Sequence, residues 1–98
     1  MTSIREFQEL MRRIYFHRDS MRGAKDTMLW LVSEVGEFAS ALIKKDKKGL
    51  EDEAADVLAW LSSECNVLGI DLEQAAINKY NGKCPKCGEG VCRCSKDF

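Results

Sequence analysis

Apolar residues recur with the spacing of α-helices over about the first 80 residues of the chain. Ser3 and Glu6 have the spacing of a helix-capping box, which predicts that a first helix begins there. Its apolar stripe consists of Ile4, Phe7, Leu10, Met11 and Ile14. No β-type alternation persists, and the single proline is Pro85, so helices should account for this whole segment.

Three further helices follow from the same periodicity, over about residues 25–45, 50–68 and 72–80. Residues 18–23 show no periodicity and end in glycine, so we expect a loop between the first two helices. The lysine-rich residues 44–48 suit the last turn of the second helix, and Gly49 should stop that helix. Helices joined by such short links predict an all-α fold, an antiparallel four-helix bundle.

The second helix is apolar over more than one face. Its apolar residues are Met28, Leu29, Leu31, Val32, Val35, Phe38, Ala39, Leu42 and Ile43. Because the other helices of one small chain cannot cover so wide an arc, we expect at least a homodimer. Two-fold pairing is the commonest arrangement, with helices two and three of both chains forming the shared core.

Composition places the chain among small soluble proteins. It has 98 residues, of which 45% are hydrophobic and 32% charged, and its formal net charge is −1. This length allows one domain with a modest core, and the lack of a basic excess argues against a nucleic-acid polymer as partner. No apolar run reaches membrane-spanning length, and Arg5, Glu6 and Glu9 interrupt the N-terminus, so we expect a cytoplasmic protein without a membrane partner.

Two pairs of acidic residues stand among the apolar residues of the second and third helices. The first pair is Glu34 and Glu37, and the second is Glu53 and Asp56. Their i, i+3 spacing puts both carboxylates of a pair on one helix face. Burying them is costly without a partner, and no lysine or arginine occurs at 27–43 or 49–78. A hard divalent cation, Mg²⁺ or Mn²⁺, prefers such oxygen ligands.

The alternative interpretation is that these acids form solvated helix faces. Glu53 is also close to the predicted start of the third helix, where the helix dipole favours acids.

The two acidic pairs lie in a recognisable sequence context. Residues 31–37 read LVSEVGE and residues 53–61 read EAADVLAWL, and this combination resembles the MazG-like nucleoside triphosphate pyrophosphohydrolases. The resemblance covers roughly residues 4–83. It implies Mg²⁺-dependent cleavage of a (d)NTP at the α-phosphorus to a (d)NMP and pyrophosphate, with homodimers or dimers of dimers. The implied catalytic and metal-holding residues are Glu34, Glu37, Glu53 and Asp56, with Glu37 or Glu34 as the general base.

The resemblance also implies substrate contacts outside the acids. Basic residues at the end of the last helix contact the phosphates in that family, and the corresponding positions here hold Asn78, Lys79 and Lys83. The lysines could instead simply complement the C-terminal end of a helix. Trp30 lies one turn before Glu34, and Trp60 one turn after Asp56, so either indole could stack on a nucleobase or belong to the core.

The composition changes after about residue 81, where four cysteines occur in quick succession. They are Cys84, Cys87, Cys92 and Cys94. Four thiolates at this spacing predict a closed, structural Zn²⁺ site, whose ion would supply the energy that folds so short a segment. A disordered reduced tail and disulfides are the alternatives. We therefore divide the chain into a helical domain, 1–83, and a zinc-binding tail, 84–98, and assign Cys65 to the core.

Two other functions remain open at this point. One is phosphoribosyl-ATP pyrophosphohydrolase of histidine synthesis, which shares the fold and the acid pattern. The other is a non-enzymatic helical module whose zinc-binding tail docks a partner.

Overall fold

The computed structural model describes residues 2–95, so Met1 and the last three residues of the predicted tail, 96–98, lie outside the described part of the chain. Within residues 2–95 the chain forms four α-helices and no strand, which confirms the all-α prediction. The helices are α1 (Ile4–Arg22), α2 (Ala24–Ile43), α3 (Lys47–Leu68) and α4 (Leu72–Lys79). No helix in this part of the chain is both long enough and apolar enough to cross a membrane.

The predicted loop over residues 18–23 is wrong, because α1 continues to Arg22. The Ser3–Glu6 capping box is present at its start, as predicted. Near its end, the Arg22 guanidinium lies 2.9 Å from the carboxylate of Asp19, one turn earlier. The chain leaves the helix only at Gly23, whose φ of 86° is readily adopted by glycine. A local ion pair thus supports a last turn that has no apolar stripe.

Gly49 does not stop α2 but lies in the first turn of α3. The Asp46 side chain caps α3 and accepts a hydrogen bond from the Gly49 N–H at 3.1 Å. A Cβ atom at Gly49 would lie 2.5 Å from Asp46 Oδ2, so a larger residue there would shift the capping carboxylate. Because α3 begins earlier than predicted, its first turn carries no acid and the helix-dipole explanation for Glu53 is weakened.

The packing centres on α3, which contacts both α2 and α1, while α4 packs against α1. Cys65 is 5% exposed, so its assignment to the core is confirmed. A polar network joins the elements around it: Gln8 Nε2 donates to Asn66 Oδ1 at 2.9 Å, and the Leu72 N–H donates to Gln8 Oε1 at 3.0 Å. These bonds tie the N-terminal end of α4 to α1 and α3.

A large part of the α2 surface is not covered by any other residue in the range 2–95. Its most exposed apolar residues are Leu29, Val32, Leu42 and Ile43, all more than 60% exposed. The radius of gyration is 15.7 Å, whereas about 13 Å is typical of a compact domain of this size. An apolar face of this extent is characteristic of an interaction surface, and the homodimer stays a prediction.

Candidate metal and nucleotide site

Three of the four predicted acids converge between α2 and α3. Glu34 projects from α2, and Glu53 and Asp56 project from α3, and one carboxylate oxygen from each lies within 4.8 Å of the others. Glu37 is exposed and is not among these three. The two helices therefore join residues from separate sequence pairs into one cluster of oxygen donors.

The cluster is electrostatically unfavourable without a cation. Partial burial raises the pKa of Glu34, and the charges of Asp56 and Glu37 raise it further. The pKa of Glu53 is raised first by desolvation and then by Asp56, so both groups resist ionisation in the folded protein. Among the ion pairs of residues 2–95, none joins one of these acids to a lysine or arginine. Several carboxylates held together without a basic partner fit a hard divalent cation.

Aromatic side chains lie beside the acids. The rings of Trp30 and Trp60 stack with their centroids 5.8 Å apart and their planes 16° apart. The guanidinium of Arg22 lies 4.8 Å from the centroid of the Trp60 ring. The two tryptophans therefore contact each other across α2 and α3, and the half-exposed Trp30 keeps a free surface.

A cavity of about 330 Å³ opens between α1 and α3 next to this cluster. Its lining includes Tyr15, Arg18, Asp19, Arg22, Asp56 and Trp60. Asp56 thus belongs both to the acidic cluster and to the cavity wall. The contribution of α1 was not predicted from the sequence; the available signal was the i, i+4 spacing of Arg18 and Arg22 in the segment interpreted as a loop.

The residues expected to contact phosphates lie elsewhere in the chain. Lys79 and Lys83 line a second cavity, of about 700 Å³, between the end of α4 and the cysteine tail. Asn78 accepts a hydrogen bond from Gln74 Nε2 at 2.9 Å. The lining of this second cavity contains none of the four acids, so the structure of one chain does not bring the lysines to the acidic cluster.

Comparison with known proteins identifies the fold that carries these clusters. The MazG nucleotide pyrophosphohydrolase domain matches residues 22–88, more than half of the chain. The chain belongs to this family. The match contains all four acids, and MazG domains support a function of the nucleotide pyrophosphohydrolase type that typically uses a divalent metal. The comparison with curated proteins gave no match.

The cysteine cluster straddles the end of the MazG match, which stops at residue 88. The sulfur atoms of Cys84, Cys87, Cys92 and Cys94 lie within 4.8 Å of one another. Backbone N–H groups of Cys87 and Lys86 hydrogen-bond to Cys84 and lower the pKa of its thiol to about 6. The pKa of Cys94 is raised to about 12, first by its hydrogen bond with Cys92. The MazG chain therefore carries two donor clusters of different chemistry, one of oxygen and one of sulfur.

Proposed function

We propose that this MazG domain is a Mg²⁺-dependent pyrophosphohydrolase that cleaves a (d)NTP to a (d)NMP and pyrophosphate, with removal of unwanted nucleotides as its role in the cell. The single observation that carries the proposal is the convergence of Glu34, Glu53 and Asp56 within 4.8 Å, inside the matched region. A cluster in which Glu34 and Glu53 have raised pKa values, and which no ion pair of residues 2–95 joins to a lysine or arginine, suits a cation that also binds a triphosphate.

The acids divide into two roles in this proposal. Glu34, Glu53 and Asp56 hold Mg²⁺ or Mn²⁺, since their oxygen atoms are already close together. A bound divalent cation would neutralise part of the triphosphate charge and make a nearby water a better nucleophile. Glu37 lies near enough for its charge to raise the pKa of Glu34, but outside the close set, which leaves it to assist the cation or to accept the proton of the attacking water.

The cavity next to Asp56 is the proposed nucleobase pocket. Its volume of about 330 Å³ is in the range of small-molecule sites. Trp60 and Tyr15 supply aromatic surface for stacking, and Trp30 extends that surface on the side of α2. Arg18 and Arg22 border the same cavity; because Arg22 is already paired with Asp19, Arg18 is the proposed positive charge for the phosphates.

We propose a homodimer, or a dimer of dimers, built on α2 and α3. The exposed residues Leu29 and Val32 supply an apolar face that a second copy would cover. The acids of α2 and α3 would then lie near the seam between the chains. Asn78, Lys79 and Lys83 remain the proposed phosphate contacts at the end of α4, where Lys79 and Lys83 border an open cavity.

The division into a helical domain, 1–83, and a tail, 84–98, remains part of the proposal, as does a cytoplasmic location. A reducing compartment keeps closely spaced cysteines as thiols that are available to a metal ion.

A substrate panel tests the proposed activity. Pyrophosphate release is measured with each common NTP and dNTP, in Mg²⁺, in Mn²⁺ and with the divalent ions removed by chelation. We expect release with at least one nucleotide, only when a divalent ion is present, and a product ratio of one NMP for each pyrophosphate. Release of inorganic phosphate alone, or no turnover of any nucleotide by the folded protein, would contradict the proposal.

A further inference from the structure

The four thiols of the cysteine tail are spaced for a single tetrahedral ion. Their sulfur atoms lie within 4.8 Å of one another, and those of Cys84 and Cys94 are 3.9 Å apart. Four sulfurs at about 2.3 Å from a central Zn²⁺ are separated from each other by about 3.8 Å. The two sulfur atoms of a disulfide are only about 2.05 Å apart. The observed spacing is therefore close to that of a tetrathiolate metal site and far from that of a disulfide.

The backbone of the first half of the tail forms a tight turn that directs two thiols to the same side. The Gly88 N–H donates to the carbonyl oxygen of Cys84 at 2.8 Å, and the Cys84 N–H donates to the carbonyl oxygen of Glu89 at 2.8 Å. Gly88 has a φ of 78°, a backbone conformation that residues with a side chain rarely adopt. This turn holds Cys84 and Cys87 in place without any helix or strand.

Backbone N–H groups also point at the sulfur atoms. The Arg93 N–H donates to Cys87 Sγ at 3.3 Å, and the Cys94 N–H donates to Cys92 Sγ at 3.4 Å. Hydrogen bonds of this kind stabilise a thiolate relative to a thiol. Two of the four sulfur atoms, Cys87 Sγ and Cys92 Sγ, thus already accept backbone hydrogen bonds on the outer side of the proposed metal site.

Among residues 2–95, no apolar core holds the tail or the C-terminal end of α4. Val91 is 82% exposed, and α4 is an eight-residue helix without a buried residue. The N-terminal end of α4 is fixed, because Arg5 pairs with Asp71 and Glu73 at 3.1 Å and 2.9 Å. A helix this short is marginal by itself, so its other end needs support from the residues that follow it.

We propose that Cys84, Cys87, Cys92 and Cys94 bind one structural Zn²⁺, and that this ion fixes the C-terminal end of α4. Two of the four ligands, Cys84 and Cys92, line the same cavity as Lys79 and Tyr80 at the end of α4, so the metal site forms one wall of that cavity. The sulfur ligands fill all four positions and leave none for a substrate. The proposed zinc site shares no residue with the acidic cluster. The zinc proposal therefore does not depend on which reaction the helical domain catalyses.

Metal content is the first test, and it needs no nucleotide. The full chain is purified under reducing conditions with Zn²⁺, desalted, and analysed by mass spectrometry for metals. We expect about one zinc per chain, the stoichiometry of a tetrathiolate site, with loss of zinc in Cys84→Ser and Cys92→Ser. Cys65→Ser is the matched control, because Cys65 is buried in α3 and should leave the zinc content unchanged. The proposed site would be overturned if the wild-type chain contained no zinc, or if its intact mass showed that the tail cysteines form disulfides. Loss of zinc in Cys65→Ser would overturn it as well.

Hydrogen exchange tests the effect on α4 in the wild-type chain, which avoids the risk that a cysteine variant misfolds. Removal of zinc with a chelator should accelerate exchange of the α4 amides, residues 72–79, by on the order of tenfold. The amides in the middle of α1 are the internal reference and should not change. Equal protection of α4 with and without zinc would overturn the proposed support of that helix.

Discussion

The two donor clusters of this chain are built in opposite ways. The acids stand on α2 and α3, helices of 20 and 22 residues whose packing places Glu34 next to Glu53 and Asp56 before any ion is bound. The thiols belong to one short segment that has no helix and no core of its own. In the first region the fold would create the metal site, whereas in the second the metal would create the fold. Loss of the ion should therefore affect chemistry in one region and local structure in the other.

The largest expected effect is on activity. Asp56→Asn removes a charged ligand from the cluster but keeps the size of the side chain, so pyrophosphate release should fall at least about 100-fold. Helical content by circular dichroism and zinc content should stay as in the wild type. Asp52→Asn is the matched control, because Asp52 is exposed on the same helix and, within residues 2–95, pairs with Lys48 at 3.0 Å rather than joining the acidic cluster. Near wild-type activity in Asp56→Asn would show that the acidic cluster is not needed for catalysis.

The second prediction concerns the exposed apolar face of α2, the helix that carries Glu34 of the acidic cluster. Val32→Glu places a charge on the exposed apolar face of α2, where Val32 is 62% exposed, and should convert a dimer into monomers at low micromolar concentration. Met21→Glu is the control, since Met21 is 89% exposed but lies on α1. Sedimentation equilibrium measures both variants. A wild-type chain that is already an 11.1 kDa monomer and still hydrolyses nucleotides would refute the shared core.

Zinc removal should have an intermediate effect and change binding more than chemistry. If Lys79 and Lys83 contact phosphates, loosening the end of α4 should raise the KM for the nucleotide by up to about tenfold, with little change in kcat. The measurement is steady-state kinetics of wild type and Cys92→Ser at saturating Mg²⁺. If wild type and Cys92→Ser had equal KM values, the tail would have no effect on nucleotide binding. A large fall in kcat in Cys92→Ser would contradict the independence of the two clusters.

The smallest expected effect is a pH dependence of stability. The folded-state pKa values of Glu34 and Glu53 lie above the ordinary value of 4.5. The folded protein therefore binds these protons more tightly than the unfolded chain, so the stability of the metal-free protein should fall as pH rises from about 4.5 through the raised values.

Glu34→Gln removes one of these groups and relieves the other, so its Tm should fall less over the same pH range. Buried Glu64 also has a raised pKa, but it is present in both proteins and does not affect the difference. Thermal unfolding in the presence of chelator, with and without added Mg²⁺, provides the comparison. Identical slopes of Tm against pH in wild type and variant would show that the acids do not repel one another in the folded chain.

The sequence was sufficient for the helices but not for all of their ends. Apolar periodicity located four helices, whereas the last turn of α1 depends on the Asp19–Arg22 pair and the start of α3 on the Asp46 cap. Both are local polar contacts to which a hydrophobic pattern is insensitive. Gly49, interpreted as a stop, instead donates its N–H to the Asp46 cap in the first turn of α3.

The residues of the acidic cluster could be predicted from the sequence, but their arrangement in space could not. The i, i+3 spacing grouped Glu34 with Glu37, while the packing of α2 on α3 groups Glu34 with Glu53 and Asp56. Spacing within one helix cannot specify how two helices are rotated relative to each other. The cavity between α1 and α3 has the same origin in tertiary packing. The thiol cluster was predictable because all of its ligands are neighbours in sequence.

Direct binding of a divalent ion tests the central claim, that the acids of α2 and α3 form a metal site. Electron paramagnetic resonance follows free Mn²⁺ during a titration of the zinc-loaded wild type, Asp56→Asn and Asp52→Asn. Wild type and Asp52→Asn should bind Mn²⁺ with equal affinity, and Asp56→Asn at least about tenfold more weakly, with zinc retained in all three. Equal Mn²⁺ affinity in Asp56→Asn and wild type would contradict the account.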